Sequence, residues 1–146
     1  MLHLAKPDDL ERLLPLVEAF HAESGFDSTE EHRATAVSPL LNGSPYGAIW
    51  IIGPRKSPVG YIAVTMGWSL EFGGLDAIVD EFYVRPAVRG RGMGGEALRS
   101  LAKALAGGDV RALHLEADKS RMDLVRFYKR CGFLPRDRYM FMSQVL

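Results

Sequence analysis

The sequence has few cysteines, no long apolar run and no net charge. Its single cysteine, Cys131, cannot form an internal disulfide, which is typical of a protein from the reducing cytoplasm. The longest apolar run, residues 48–52, is far shorter than the roughly 18 residues that cross a bilayer. The N-terminus has no basic segment followed by a long apolar one, so no signal peptide is predicted. We therefore expect a cytoplasmic protein that does not bind membranes.

The charges are balanced in total but unevenly distributed. The 146 residues include 18 basic and 18 acidic side chains, which argues against a general nucleic-acid-binding protein. Residues 1–81 carry 5 basic and 12 acidic side chains, net −7, whereas residues 82–146 carry 13 basic and 6 acidic ones, net +7. Two interpretations stay open: an interleaved surface without a net field, or separate acidic and basic regions with different ligands.

The apolar spacing predicts ten elements in the order β-α-α-β-β-β-α-β-α-β. Antiparallel strands come first and a strand–helix–strand crossover follows, so we expect an α/β fold with one mixed sheet and helices on both faces. The length predicts a single domain over residues 1–146. The elements span about 2–5, 8–22, 28–41, 46–52, 59–68, 77–84, 92–106, 111–117, 120–131 and 139–146.

Helix-end signals support these boundaries. Ser28 and Glu31 fit a capping box, so Ser28 is predicted to be the N-cap of the second helix. Asp118 or Ser120 is predicted to cap the last helix, and Gly132 stands where a helix-ending glycine is expected.

The densest chemical signal is a glycine-rich turn between a strand and a helix. Gly90, Gly92 and Gly94 let the backbone curl, so that several N–H groups point into one concavity. The start of the following helix adds further free donors and partial positive charge, and Arg89 and Arg91 add full charges. The segment therefore predicts a phosphate-binding site.

A dinucleotide site is the first alternative for this turn. Gly90, Gly92 and Gly95 satisfy a G-x-G-x-x-G pattern. That pattern normally follows the first buried strand of a parallel sheet at once, whereas this strand carries Asp80 and Glu81 and follows antiparallel-looking strands. The context argues against a dinucleotide, and no P-loop sequence occurs.

Two motifs in this order resemble the GNAT superfamily of acetyl-CoA-dependent N-acetyltransferases. Arg89-x-x-Gly92-x-Gly94 is similar to the family's acetyl-CoA pyrophosphate loop. The segment 124–133, in which Phe127-Tyr128 precedes Gly132-Phe133 by four residues, is similar to its second signature. Over residues 1–75 the likeness is only architectural.

The resemblance implies acetyl-CoA as co-substrate and a role for several residues. Tyr128 would protonate the leaving thiolate. Many members carry an asparagine where this sequence has Arg121, which would meet a phosphate or face solvent. The pantetheine arm would pair with the backbone of Phe82, Tyr83 and Val84, and the pyrophosphate with the amides of Arg89, Gly90, Arg91, Gly92, Met93 and Gly94.

A general base is expected near the strand that precedes the turn. Asp80 and Glu81 are adjacent, so their side chains point to opposite faces unless a bulge intervenes. A carboxylate is a weak base for an ammonium group, so a relay through water is expected. Glu81 is slightly favoured over Asp80.

Two irregular, aromatic and acidic segments lie where acceptors usually bind in the family. They contribute the candidate substrate-binding residues Phe20, Glu23, Phe26, Trp68 and Glu71. Ordinary loop packing is the alternative for both segments. The four histidines show no metal spacing, so no metal is predicted.

The sequence thus predicts direct transfer of an acetyl group from acetyl-CoA to a primary amine of a small molecule or peptide. Because the acidic half contains the acceptor segments, a cationic amine is favoured. The alternatives are a non-catalytic acyl-CoA sensor on the same fold and a nucleic-acid-binding module, which the lack of aromatic platforms disfavours. The oligomeric state is open, with a homodimer as one alternative.

Overall fold

The computed structural model describes all 146 residues, which divide into two compact units, residues 1–116 and 117–146. The first unit contains five strands and three α-helices, and the second contains one helix, α4 (Met122–Arg130). The single domain over residues 1–146 stays a prediction. The first unit runs β1 (Leu2–Leu4), a 3₁₀ turn (Pro7–Asp9), α1 (Leu10–Ser24), α2 (Glu30–Leu41), β2 (Gly47–Ile52), β3 (Gly60–Ser69), β4 (Gly74–Val84), a second 3₁₀ turn (Pro86–Val88), α3 (Met93–Gly107) and β5 (Ala112–Leu115).

The five strands form one sheet in chain order. Strands β1 to β4 pair antiparallel, and β4 pairs parallel with β5. The parallel pair is joined through α3, as a crossover connection requires. The structure therefore confirms the predicted mixed sheet.

Helices cover both faces of this sheet. Alternate residues of each strand point to opposite faces, and buried apolar side chains occur on both. On one face, α1 and α2 pack over a cluster that includes Ile51, Tyr61 and Tyr83. The alternating residues Ile52 and Ile62 are buried as well, and they lie on the face toward α3, which contacts β1 and β2. The prediction of helices on both faces is confirmed.

The predicted cap of α2 is wrong by one residue. Thr29 is the N-cap, and its Oγ1 accepts the amide of His32 at 3.0 Å. The hydroxyl of Ser28 is instead within hydrogen-bonding distance of side chains on α1 and α2. A tertiary contact of Ser28 therefore takes the place of the local capping bond.

Both predicted caps of α4 are also wrong. The N-cap residue is Arg121. The carboxylate of Asp118 accepts the amide and the hydroxyl of Ser120, at 2.9 and 2.7 Å. Because these two polar side chains satisfy each other in a local turn, neither caps the helix. Gly132 has a φ of +99° just after the helix, as predicted.

The predicted strand over residues 139–146 is not formed. A strand exists only where its backbone groups pair with a neighbour, and apolar composition does not supply that partner. The side chains of Phe141 and Leu146 are exposed. None of the helices combines the length and apolar character needed to span a membrane.

A buried carboxylate joins the start of α1 to the sheet edge. Asp9, which is 1% exposed, accepts hydrogen bonds from Arg12 at 2.8 Å, from Arg55 at 2.7 Å and from the Lys6 amide at 2.8 Å. Arg55 also donates to the Leu4 carbonyl. Burial raises the pKa of Asp9, but these hydrogen bonds and positive charges outweigh it and the net pKa is lowered.

We expect Asp9→Ala to lower the free energy of unfolding by about 2–3 kcal/mol, because two arginines lose their shared acceptor. Since the folded pKa of Asp9 is depressed, its contribution is present above the ordinary aspartate pKa and is lost as pH falls through the lowered value. Urea unfolding at neutral and acidic pH measures both effects. The exposed neighbour Asp8, replaced by alanine, is the control, and equal losses in the two variants would contradict the prediction.

Candidate active site

The sheet opens between β4 and β5 partway along β4. These strands pair only over Asp76–Val79, opposite Ala112–Leu115. The other edge of β4 stays paired with β3 as far as Val84. Over residues 80–84, therefore, one edge of β4 lies beyond the β5 ladder. Its backbone groups can pair with an extended ligand in the way that a further strand would.

A β-bulge marks the point where the opening begins. Glu81 lies opposite Ala63 and Val79 lies opposite Val64, so Asp80 is an extra residue without a partner on β3. The bulge breaks the alternation that would otherwise send these consecutive carboxylates to opposite faces. Glu81 is half-buried on the face that α1 covers, and Asp80 is exposed.

Buried donors hold both oxygens of Glu81. The hydroxyl of Tyr61 donates to Oε1 at 2.7 Å, and Nε2 of His21 lies 2.7 Å from Oε2. Tyr61 is fully buried, and this burial, followed by the negative charge of Glu81, raises the pKa of its hydroxyl above the range in which tyrosine normally ionises. Tyr61 therefore remains a proton donor to Glu81.

Asp80 differs from Glu81 in its surroundings. Although Asp80 as a whole residue is exposed, neighbouring atoms partly desolvate its carboxylate; this desolvation and then the negative charge of Glu81 raise the pKa of Asp80, while His21 opposes the rise. A carboxylate whose pKa is raised towards the working pH is a better proton acceptor than an ordinary one. The bulge therefore places Glu81, which two hydrogen bonds hold, next to Asp80, whose pKa is raised.

His21 connects this pair to the start of α2. Its Nδ1 lies 2.8 Å from Oγ of Ser28, and Arg33 donates to the same oxygen at 3.0 Å and to the Ser28 carbonyl at 2.6 Å. From the sequence, His21 belongs to the predicted acceptor segment 20–26 and Ser28 is a predicted cap, and neither is assigned a contact with Glu81. No local pattern relates position 21 to position 81, because the two meet only when α1 packs on β4.

Aromatic rings pack against the two side chains, His21 and Tyr61, that donate to Glu81. Phe20 makes edge-to-face contacts with Phe26, Tyr61 and Tyr83, at centroid distances of 6.2–6.3 Å. Phe26 also lies 5.5 Å from the His21 ring and is 54% exposed. The structure thus brings the predicted acceptor residues Phe20 and Phe26 to the Glu81 network.

The other predicted acceptor residues lie elsewhere. Glu23, near the end of α1, accepts a hydrogen bond from Arg89. Trp68 is 71% exposed near the end of β3, five residues beyond the Ala63 that faces Glu81, and Glu71 is in the turn that follows. The structure does not bring this hairpin tip to Glu81, and a role for these residues in acceptor binding stays a prediction.

The glycine-rich turn has the backbone that the sequence predicts. Gly90 and Gly92 have φ angles of +77° and +82°, and Gly92 is the N-cap of α3. A Cβ built on either glycine would meet no heavy atom within 4 Å. Other residues are therefore disfavoured at these two positions by the positive φ and not by a clash. The space around both glycines, beside the first-turn amides of α3, is open. A pyrophosphate fits such a site.

Arg89 is held by protein groups. Its Nη2 donates to Glu23 and its Nε donates to the Val84 carbonyl, both at 2.7 Å. Its guanidinium lies 5.4 Å from the centre of the Tyr83 ring. Contacts of Arg89 with phosphate stay a prediction, and its observed contacts fasten the loop to α1 and to the end of β4.

In the second unit, Tyr128 lies on α4 between two phenylalanines. Its ring centroid is 5.3 Å from that of Phe127 and 6.0 Å from that of Phe133. Burial and then the nearby Cys131 raise the pKa of Tyr128 to about 12. The hydroxyl therefore stays protonated at neutral pH. Arg121 forms an ion pair with Asp123 at 3.1 Å.

Comparisons with known proteins agree with this geometry. The model of the acetyltransferase (GNAT) family matches residues 12–133. An integron cassette protein, HFX_CASS3, from the mobile metagenome of Cole Harbour Salt Marsh is 34% identical, with a TM-score of 0.86 over 99% of this chain and 90% of its own. The chain belongs to the GNAT acetyltransferase family.

More distant structures share the fold. A candidate acetyltransferase from Arthrobacter sp. FB24 is 24% identical, with a TM-score of 0.85 over 100% of this chain and 96% of its own. An aminoglycoside acetyltransferase, meta-AAC0020, from an uncultured soil metagenomic sample is 14% identical, with a TM-score of 0.80 over 100% and 95%. No curated protein matches the chain in sequence at a significant level.

Proposed function

We propose that the protein transfers the acetyl group of acetyl-CoA to the primary amine of a small cationic molecule or peptide. The observation that carries the proposal is the opening of β4 at residues 80–84, beside the glycine turn, in a chain of the GNAT family. In this proposal the backbone of Phe82, Tyr83 and Val84 pairs with the pantetheine arm. The amides of residues 89–94 bind the pyrophosphate.

The reaction needs one proton removed and one supplied. Acetyl-CoA supplies a thioester whose carbonyl carbon is attacked by the acceptor nitrogen, so a C–N bond forms and the C–S bond breaks. The nitrogen loses its proton to the pair Asp80 and Glu81, directly or through water. The departing thiolate takes a proton from Tyr128, and the second proton that the nitrogen loses, after the C–N bond has formed, restores the Tyr128 hydroxyl by way of solvent. The amide and free CoA are the products, and no covalent enzyme intermediate forms.

The direct test is release of the CoA thiol from acetyl-CoA across a panel of amines. The proposal expects release that depends on both the protein and an amine. Binding of acetyl-CoA without turnover of any amine would instead favour an acyl-CoA sensor, and the absence of binding would reject both interpretations. Cytoplasmic location stays a prediction.

The glycine turn gives a prediction about co-substrate affinity. We expect Gly92→Val to weaken acetyl-CoA binding by at least tenfold, because a β-branched residue is strained at a φ of +82° and the turn must rearrange. Calorimetric titration of the folded variant measures the affinity. Gly107→Ala, near the end of the same helix and with open space around its Cβ, is the matched control. Equal affinities in Gly92→Val and the control would contradict the prediction.

Tyr128 gives a prediction about turnover. If it protonates the thiolate, Tyr128→Phe lowers kcat by about 10²-fold, the usual scale for a positioned proton donor, while acetyl-CoA affinity is unchanged. Steady-state kinetics and titration separate the two quantities. Tyr139→Phe is the control, since Tyr139 is an exposed tyrosine of the same unit. A variant with full turnover would assign Tyr128 to packing alone.

The carboxylates of β4 favour a cationic acceptor. Asp76, Asp80 and Glu81 lie within six residues of one strand, and Ile78 between them is 41% exposed. Two of the three have a histidine as ion-pair partner, His114 for Asp76 and His21 for Glu81. Such a surface attracts cations and raises their local concentration.

We therefore expect kcat/KM for a cationic amine to exceed that for an anionic one, and to fall as salt rises. The Debye length shrinks from ~30 Å at 0.01 M to ~10 Å at 0.1 M, which screens the attraction. Asp76→Asn should weaken the preference. Glu11→Gln should not, since Glu11 is exposed on α1 about 15 Å along the helix from His21. Preference for an anionic amine, with rates that rise in salt, would reject the cationic acceptor.

A further inference from the structure

Both hydrogen bonds to Glu81 are donated to its ionised carboxylate, which can only accept. Arg33 can only donate, so Oγ of Ser28 accepts from it and its own hydrogen is free to point towards Nδ1 of His21. A neutral His21 ring that accepts at Nδ1 carries its proton on Nε2, and an imidazolium has a proton there as well, so in both states the Nε2–H donates to Oε2 of Glu81. Tyr61 donates to Oε1 from the other side. Glu81 is thus the only acceptor at which both ends of the network terminate.

Burial distinguishes this network from a surface salt bridge. The side chains of His21 and Glu81 are 12% and 18% exposed, Arg33 is 9% exposed and Tyr61 is fully buried. An ionised carboxylate at such a depth needs several hydrogen bonds, and the network supplies two short ones. Glu81 therefore already has protein donors on both oxygens that an acceptor amine would approach.

Asp80 has the opposite properties. It is exposed, it is the unpaired residue of the bulge, and the structure records no short hydrogen bond that fixes it. A proton taken up by an exposed carboxylate can leave to bulk water, so the group is ready for the next turnover. Partial desolvation of its carboxylate and then the negative charge of Glu81 raise the pKa of Asp80, which makes that uptake more favourable.

We propose that His21 is a positioning residue, held through Ser28 and Arg33, that keeps Glu81 as a fixed ionised carboxylate, so that the neighbouring Asp80 takes the proton from the acceptor amine. This inference rests on the proposed acetyl transfer. It assigns different roles to the two carboxylates and makes Asp80 the base, whereas the sequence slightly favoured Glu81. In the step itself an N–H bond of the ammonium breaks, an O–H bond forms on Asp80 and the proton then passes to solvent.

Few other charged groups act on this pair. His21 faces it from α1 and Tyr61 faces it from β3. Strand β5 presents His114, which forms its ion pair with Asp76 further back along β4. A variant at His21 therefore leaves Tyr61 and His114 in place, and so does a variant at Glu81.

The experiment follows the carboxyl titration of Asp80 and Glu81 by carbon-13 NMR, which requires no substrate. The readout is the pH at which the pair takes up its first proton. Glu81→Gln should lower the Asp80 midpoint, because the adjacent negative charge is lost. His21→Leu should raise the pH at which the pair takes up its first proton. The reason is that Glu81 loses a hydrogen-bond donor and the pair loses a nearby group that can carry positive charge.

Two further variants separate a specific role from a loss of packing. His21→Gln keeps an N–H donor. The pH at which the pair takes up its first proton should therefore lie closer to the wild-type value in this variant than in His21→Leu. His32→Gln removes an exposed histidine of α2 and should leave the titration unchanged. An unchanged Asp80 midpoint in Glu81→Gln, or identical titrations in the leucine and glutamine variants of His21, would overturn the proposal.

Kinetics then distinguish this inference from the proposed function. The acidic limb of kcat/KM should shift in the same order as the NMR midpoints, downward in Glu81→Gln and upward in His21→Leu. If no amine is acetylated but the midpoints shift as expected, the network stands and the proposed function fails. If amines are acetylated and the limb does not follow the midpoints, Asp80 is not the proton acceptor and the inference fails.

Discussion

The site depends on one irregularity of β4, the extra residue at position 80. A regular strand would continue its ladder with β5 and would send Asp80 and Glu81 to opposite faces. Instead, the register shift falls next to Val79, the last residue paired with β5. The extra residue at position 80 therefore lies where the parallel ladder ends, and it places Asp80 and Glu81 together at the opening.

The helical layer over this strand is organised around Glu81. The ion pair and hydrogen bonds from His21 fix the C-terminal half of α1, and the bonds from Arg33 to Ser28 fix the start of α2. The rings of Phe20 and Tyr61 pack edge to face next to these contacts. Packing and polar contacts therefore act on the same point, and the largely buried charge is tolerated there because its two donors lie on α1 and β3 and the first is held from the start of α2.

Much of the fold can be predicted from local patterns in the sequence. The apolar spacing of α1 and α3, the β-branched strands and the glycines at positions 90 and 92 each specify a conformation through their own chemistry. The two motifs that carry the family resemblance lie in short continuous segments, so they can be recognised from the sequence without a structure. The strand predicted at residues 139–146 failed because a strand requires a partner that the segment itself does not contain.

The sequence alone determined the order of the first nine predicted strands and helices, the mixed sheet, the glycine-turn backbone before α3 and the presence of adjacent acidic residues on β4. Only the tertiary structure decided how those acidic residues differ. Ser28 is a good capping residue by local rules, yet its hydroxyl faces His21, and Thr29 caps the helix instead. Positions 21, 61 and 81 come together only through packing across α1, β3 and β4, because the hydrogen bonds and desolvation that distinguish Glu81 from Asp80 arise between segments distant in the chain.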